Sequence, residues 1–247
     1  MLWFCLTRQR SDGDRARDLM ALTGDERARH DRFVRDDDRR DFAAAHALLH
    51  RCLSDAFGRP PTRWRLITSP LGKPTVDPTF GGPPVAFNIS HTRGLVACAL
   101  VVGARHDMVG VDVEPVVPLP DRDSLAADHF SAAECRQLAE CASPDERFTE
   151  LWTMKEAYVK AIGAGLSGEL SSFGVRYDSP TRLSFSPPAG DRRPWSLAVY
   201  GIEPGFRLAL AVPRSEHAPP IPAINADAPD HLVWPLRATY HSNGTSD

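Results

Sequence analysis

Helical and strand periodicities alternate along this chain and predict a mixed fold. Residues 1–7 are apolar over the length of a strand, and the segment from there to about residue 55 repeats its apolar positions with helical spacing. The apolar face of that segment is formed by Phe42, Ala45, Leu48, Leu49 and Leu53. Residues 58–84 are rich in glycine and proline and predict loops, apart from a short strand at 64–68.

The second half of the chain repeats this mixture of elements. Further strands are predicted at 85–89, 95–102, 108–114, 172–178, 195–201 and 206–212, and helices at about 122–130, 131–141 and 144–163. Ser131 and Glu134 form a capping box for the second of these helices, and Gly163 supplies a left-handed cap for the third. From Pro213 onward, proline and weak periodicity predict an extended or disordered tail, with 232–236 as a candidate docked piece.

Composition narrows the class of protein. At 247 residues, 42% of them hydrophobic, the chain suits one large domain or two small ones. A net charge of -3 argues against binding to nucleic acid. Five scattered cysteines without metal-ligand spacing favour reduced thiols and a cytoplasmic location. The longest apolar run, 95–102, is too short for a membrane span, and residues 1–7 are too short for a signal peptide.

Acidic residues gather on two of the predicted elements. Strand alternation places Asp112 and Glu114 on one face and the valines between them on the other. An edge strand with a hydrated acidic face explains this pair as well as a metal site does. Glu156, on the helix at 144–163, adds a third carboxylate, and three carboxylates without a nearby His or Cys indicate a hard cation. Magnesium is favoured over calcium, because three carboxylates without calcium-loop spacing leave positions for water and phosphate oxygens.

Lysine is rare in this chain. Only three of the 29 Lys and Arg residues are lysines: Lys73, Lys155 and Lys160. A compact, mobile ammonium at these places suits phosphate binding. Chance placement is the simpler explanation, and for Lys160 so is a helix-stabilising pair with Glu156.

Ser90 and His91 bring a hydroxyl and an imidazole to the polar turn Ser90–Gly94 after a strand, where loops often carry function. Neighbouring residues on an extended chain point to opposite faces, and a Gly-x-Ser-x-Gly elbow is missing. The pair therefore does not predict a catalytic dyad by itself.

Five motifs occur in a fixed order: Gly72-Lys73-Pro74, Asn88-Ile89-Ser90-His91, Gly110-Val111-Asp112-Val113-Glu114, Phe130-Ser131-Ala132-Ala133-Glu134, and Trp152 through Gly165. In order and spacing they resemble the 4'-phosphopantetheinyl transferases of the large, surfactin-type group. The resemblance spans about 20–212 and is strongest at 72–178.

That resemblance implies an α+β fold, a pseudo-symmetric pair of similar α/β subdomains with the active site in the cleft between them. The N-terminal subdomain would be 1–104, the C-terminal subdomain with the metal site 105–212, and the Pro-rich tail 213–247. The implied enzyme is magnesium-dependent and of the holo-acyl-carrier-protein synthase type. It transfers the 4'-phosphopantetheine arm of coenzyme A to a serine of an apo acyl or peptidyl carrier protein and releases 3',5'-ADP.

The resemblance also implies roles for individual residues. Asp112, Glu114 and Glu156 would hold the magnesium ion, and Glu156, directly or through a metal-bound water, would take the serine proton, with Glu134 as the second candidate. The residues implied to bind coenzyme A are Lys155 and Lys160 at the pyrophosphate, Lys73, Ser90 and His91 at the nucleotide end and its 3'-phosphate, and Arg29, with Arg40 or Arg51 as further basic candidates. Fatty-acid, polyketide and nonribosomal-peptide carriers all fit, and a monomer without nucleic-acid or membrane partners is the default.

A merely structural domain whose acids are surface groups is permitted by each motif alone, but the conjunction of the motifs argues against it. Two other functions remain open from the residues. One is a catalytically inactive module that binds coenzyme A or a carrier protein, although the intact acids and helix lysines argue against loss of activity. The other is a magnesium enzyme that cleaves a nucleotide pyrophosphate without transfer to protein. The glutamate run of Nudix enzymes and a Gly-rich phosphate loop are both missing from the sequence.

Overall fold

The computed structural model of the chain describes residues 1–60, 64–68, 74–103, 108–164, 169–179, 182–202, 204–214, 224–226 and 236–241. The chain divides into two compact units. One is Met1–Val109 with Pro222–Val233, and the other is Gly110–Ile221 with Trp234–Asp247. The subdomain limits expected from the resemblance stay a prediction.

The elements within these residues are, in chain order, β1 (Leu2–Leu6), α1 (Asp12–Ala21), α2 (Gly24–His30), α3 (Asp36–Phe57), β2 (Leu66–Thr68), β3 (Pro74–Val76), β4 (Val85–Thr92), β5 (Leu95–Val102), β6 (Gly110–Pro115), α4 (Arg122–His129), α5 (Ala132–Glu140), α6 (Pro144–Ile162), β7 (Gly174–Ser179), β8 (Arg182–Ser186), β9 (Trp195–Ile202), β10 (Phe206–Pro213), β11 (Ile224–Ala226) and β12 (Leu236–His241). Short 3-10 helices lie at Thr7–Gln9, Pro78–Phe80 and Leu170–Ser172.

The first unit is a four-stranded sheet covered by a long helix. Its strand order is β11-β1-β5-β4, with β5 antiparallel to both of its neighbours. Helix α3 packs its apolar face on the sheet, where Leu48, Leu49 and Leu53 join a buried cluster with Val96 and Leu100 of β5. The helical spacing of these leucines is what places them all on the sheet side.

The second unit repeats that plan around a six-stranded sheet. Its order is β6-β10-β9-β12-β8-β7, and α6 packs on β6 and β10. Each unit therefore runs from a strand through three helices and then two antiparallel strand pairs, and the last strand of the second pair lies beside the first strand. The predicted mixed fold built from two similar halves is confirmed.

Three features differ from the sequence expectation or extend it. Strand β4 continues through the polar residues to Thr92, because Ser90, His91 and Thr92 pair with β5, so the turn is confined to Arg93 and Gly94. Strands β3 and β8 are not predicted by the sequence pattern, since three and five residues beside loops give too short a signal. Within the tail, β11 pairs with β1 and β12 pairs with β9 and β8.

The predicted helix ends are confirmed. The Ser131 side chain accepts from the Glu134 backbone while the Glu134 side chain accepts from the Ser131 backbone, and Gly163 ends α6 with a φ of 70°. Among the described residues, no helix combines the length and the apolar character needed to cross a bilayer.

Candidate active site

A glycine brings α6 into direct contact with the first strand of the second unit. A Cβ placed on Gly110 would lie 1.9 Å from the Ala157 carbonyl oxygen and 2.6 Å from the Ala161 backbone nitrogen. A residue with a side chain cannot occupy that position without moving the helix. The glycine of the Gly-Val-Asp-Val-Glu motif thus sets the distance between β6 and α6.

The acids of β6 lie under this helix. Asp112 is 3% exposed, and its Oδ1 accepts a hydrogen bond of 2.6 Å from the Nζ of Lys160. Strand β6 is at the edge of its sheet, as one interpretation of the sequence predicts, but its acidic face is covered rather than hydrated. The site is therefore a meeting point of a buried strand carboxylate and a partly exposed helix ammonium.

Glu114 and Glu156 belong to the same electrostatic group. Burial, and next the Asp112 carboxylate, raise the pKa of Glu114 to about 7, while Lys160 opposes the shift and Glu156 adds to it. Burial and Asp112 also raise the pKa of Glu156, against the opposing charges of Lys160 and His129. Burial, and next the repulsion between like charges, thus disfavour the ionised forms of Glu114 and Glu156.

Such a set has the chemistry that a hard divalent cation requires, because carboxylate oxygens are the preferred ligands of magnesium. In the part of the chain that the structure describes, no three His, Cys, Asp or Glu side chains are grouped closely enough to hold a metal ion as they stand. The donor chemistry fits a magnesium ion, whereas the ligand positions are not already gathered around one point.

Lys155 takes a different direction from the one expected for a phosphate ligand. Its side chain is fully buried, and its Nζ lies 2.7 Å from the Leu170 oxygen, 2.6 Å from the Phe173 oxygen and 3.0 Å from Oε2 of Glu134. An ammonium has three donors, and these three acceptors use them all. The structure therefore differs from the expected pyrophosphate contact, because the charge is committed inside the protein.

Glu134, the second candidate for the catalytic base, is 1% exposed. Its Oε2 accepts from the backbone nitrogen of Ser131 at 2.7 Å, and its Oε1 accepts from the backbone nitrogen of Val175 at 2.7 Å. A carboxylate held in this way is closed to solvent and to an incoming hydroxyl. Its placement differs from that of a proton acceptor for an external substrate.

The candidates for the nucleotide end lie in the first unit. Ser90 is buried and His91 is exposed, so the two point to opposite faces of β4, as strand alternation predicts. Arg29 is exposed on α2, with its guanidinium carbon 5.4 Å from the centre of the Phe42 ring. Lys73 lies outside the described residues, and the roles of Arg29, Ser90 and His91 stay predictions.

An apolar cavity adjoins the acidic group within the second unit. Its volume is about 220 Å³, and it is lined by Glu114, Pro115, Val117, Leu119, Leu125, Phe148, Thr149 and Trp152. Trp152 stacks on Phe148 with ring centres 5.9 Å apart and meets the ring of His129 edge-on at 5.4 Å. His129 and Leu125 of α4 do not belong to the site predicted from the sequence. Only their position shortly before the Phe130-Ser131 motif could have drawn attention to them.

Comparisons with known proteins show which proteins this chain is similar to. The model of the 4'-phosphopantetheinyl transferase superfamily matches residues 108–211, which include β6 and α6. The 4'-phosphopantetheinyl transferase HetI of Nostoc sp. is 33% identical over 201 residues, which are 79% of this chain and 80% of that protein. The 4'-phosphopantetheinyl transferase Sfp of Bacillus subtilis is 27% identical over 208 residues, covering 83% of this chain and 88% of its own.

A solved structure, the holo-[acyl-carrier-protein] synthase of Thermotoga maritima, is similar to part of the chain. It is 22% identical with a TM-score of 0.38, and the match covers 44% of this chain and 64% of that one. The likeness is thus limited to less than half of this chain.

Proposed function

This chain belongs to the 4'-phosphopantetheinyl transferase superfamily, and from that premise we propose that it transfers the 4'-phosphopantetheine arm of coenzyme A to a serine of an apo carrier protein. The second product is 3',5'-ADP. The observation that carries this proposal is the meeting of two strand carboxylates with a carboxylate and an ammonium of α6, namely Asp112 and Glu114 with Glu156 and Lys160.

In the proposed reaction the serine oxygen forms a bond to the pantetheine-side phosphorus, and the bond from that phosphorus to the bridging oxygen of the pyrophosphate breaks. The electron pair of the broken bond leaves with 3',5'-ADP. The serine proton goes to Glu156, which lies one helical turn before Lys160. Lys160 places its positive charge where the leaving phosphate gains negative charge.

The proposal includes magnesium dependence. Asp112, Glu114 and Glu156 would hold the ion, and the burial of Glu114 and Glu156 beside the charge of Asp112 supports a bound dication at this place. Bound magnesium neutralises charge on a pyrophosphate. The buried position of Asp112 gives that carboxylate a fixed direction, while Glu114 and Glu156 are half-buried and can adjust to the ion.

The apolar cavity beside Glu114 supports a place for the pantetheine arm. Its lining is mostly hydrocarbon and aromatic, which suits the methyl and methylene groups of the arm. Because Glu114 itself lines the cavity, an arm lying there has its phosphate end beside the acidic group. Arg29, Lys73, Ser90 and His91 stay the proposed contacts for the nucleotide end and its 3'-phosphate.

We further propose that the protein acts as a monomer in the cytoplasm on acyl or peptidyl carrier proteins. The five cysteines all lie within the described residues and none of them forms a disulfide, which supports a reducing compartment.

Intact mass spectrometry tests the transfer. An apo carrier protein is incubated with this protein, coenzyme A and magnesium, and a matched sample contains EDTA. The expected result is a mass gain of one phosphopantetheine group that disappears with EDTA. Coenzyme A binding without a mass gain on acyl and peptidyl carriers would instead indicate an inactive binding module, and a gain unaffected by EDTA would exclude the metal.

A further inference from the structure

A buried ion pair holds one side of α6. The Nζ of Lys155 bridges from the helix to the carbonyl oxygens of Leu170 and Phe173, in the segment that returns toward the sheet after α6. The third acceptor is the carboxylate of Glu134 on α5. Lys155 is fully buried and Glu134 is 1% exposed, so neither charge is screened by solvent.

Glu134 extends the same connection to the start of its own helix and to β7. Besides Lys155, it accepts from the backbone nitrogens of Ser131 at the start of α5 and Val175 at the start of β7. The pair thus joins α6, α5 and β7 at one point. The ring of Phe173, whose centre is 4.5 Å from the Nζ, packs against the ammonium.

The next residues of α6 are held from another direction. Ala157 touches Gly110 of β6 so closely that the strand position cannot carry a side chain. Glu156 lies between Lys155 and Ala157 in the chain. A helix fixed at two flanking positions by different neighbours cannot turn about its axis, and the direction of the residue between them is then set.

We propose that Lys155 and Glu134 are positioning residues for transfer, which fix the rotation of α6 so that Glu156 and Lys160 face Asp112. This inference rests on the proposed function of Glu156. It assigns the pair no contact with coenzyme A, in contrast to the pyrophosphate role expected for Lys155 from the sequence. The buried Lys155 thus sets the direction of the carboxylate of Glu156, the next residue in the chain.

The test compares Lys155→Met, Glu134→Gln and the double variant with the exposed-helix control Glu140→Gln. Turnover and the KM for coenzyme A are measured with an apo carrier protein, together with unfolding in urea. We expect kcat to fall by about a hundredfold in Lys155→Met, as misplacement of a catalytic group does. The KM for coenzyme A stays within about twofold, because Lys155 is not a ligand.

The double variant separates positioning from stability. Lys155→Met leaves a buried carboxylate without its cation, and removing the charge of Glu134 as well relieves that cost. We expect the double variant to recover part of the lost stability while kcat stays low, since the bonds to Leu170 and Phe173 are still missing. If kcat returns together with stability, the pair is only a structural one and the proposal fails.

Amide hydrogen exchange gives a readout that does not depend on activity. Lys155→Met is expected to speed exchange at Val175 and in the last turn of α6, relative to Glu140→Gln. Unchanged exchange at both places would overturn the positioning role even in an active enzyme. A wild-type protein without transfer activity would instead overturn the proposed function, and exchange would still decide whether the pair holds the helix. A raised KM for coenzyme A with unchanged kcat would return Lys155 to the role of a phosphate ligand.

Discussion

The backbone carbonyl oxygen of Ala157 occupies the place that a Cβ on Gly110 would need, so the strand residue has no room for a side chain. This contact places the first residue of the acidic strand against the C-terminal half of the helix that bears Glu156 and Lys160. The distance between two sets of charged groups therefore depends on a residue without functional atoms. A motif glycine here has a packing role that serves the chemistry.

Replacing Gly110 by alanine should lower the free energy of unfolding by about 1–3 kcal/mol, the usual cost of overpacking. Transfer should fall more steeply, because the displaced helix carries two site residues. Urea denaturation and turnover on the same preparations measure the two effects. Gly24→Ala is the control, since a Cβ there meets nothing within 4 Å. If both variants behave alike, the close packing does not position α6.

Local signals in the sequence are sufficient to predict the helix ends and the two faces of β6. The capping box of Ser131 and the cap at Gly163 involve residues close in the chain, so their pattern predicts their structure. The alternation that separates Asp112 from Val111 likewise needs only strand geometry. These parts of the candidate site follow from short stretches of sequence alone.

The direction of Lys155 could not be predicted in the same way. Adjacent helix residues point about 100° apart, so Lys155 and Glu156 must face different neighbours. Which of the two meets a buried carboxylate depends on where residues 169–175 return and on how α5 packs. Both are long-range outcomes, and a motif that groups Lys155 with Glu156 conceals the difference between a buried charge and a site charge.

Glu156→Gln should reduce transfer by about a hundredfold or more, because the proposed proton acceptor is lost while its shape is kept. The free energy of unfolding should stay equal or rise, since one of three mutually repelling carboxylates is removed. Turnover and urea denaturation at neutral pH, with Glu140→Gln as the control, test both statements. Near-normal turnover would remove Glu156 from the mechanism.

Val117→Arg tests the cavity as a place for the pantetheine arm. Val117 lines the cavity and is 43% exposed, so a long charged side chain can be introduced at its rim without opening the core. The KM for coenzyme A should rise about tenfold or more, as the loss of an apolar subsite predicts. Affinity for 3',5'-ADP, which lacks the arm, should not change. Equal weakening of the binding of coenzyme A and of 3',5'-ADP would show that the cavity does not receive the pantetheine arm.

Glu26 makes the stability of the first unit dependent on pH. Burial opposes its ionisation, but hydrogen bonds with His46 and His50 outweigh burial and leave the pKa of Glu26 below its usual value of 4.5. A carboxylate whose pKa is lowered by folding stabilises the folded state at pH values above its pKa in the unfolded state. This contribution is lost as the pH falls through its pKa in the folded state. The stability difference between wild type and Glu26→Gln should thus shrink below pH 4.5. Urea titrations across pH, with Asp25→Asn as the exposed control, measure it, and a difference independent of pH would contradict the assignment.

Lys160 differs from Lys155 in the property that a phosphate ligand needs, because its side chain is 31% exposed while its Nζ lies 2.6 Å from Asp112. Lys160→Ala should therefore weaken coenzyme A binding and lower kcat together, by about tenfold or more in each, since a charge-assisted contact to the pyrophosphate is lost. Lys160→Arg keeps the charge but not the compact ammonium, and should recover binding more than turnover. Calorimetric titration with coenzyme A and steady-state kinetics measure the two quantities. An unchanged affinity in Lys160→Ala would show that this lysine serves only to balance Asp112, and the phosphate contact would have to come from another residue.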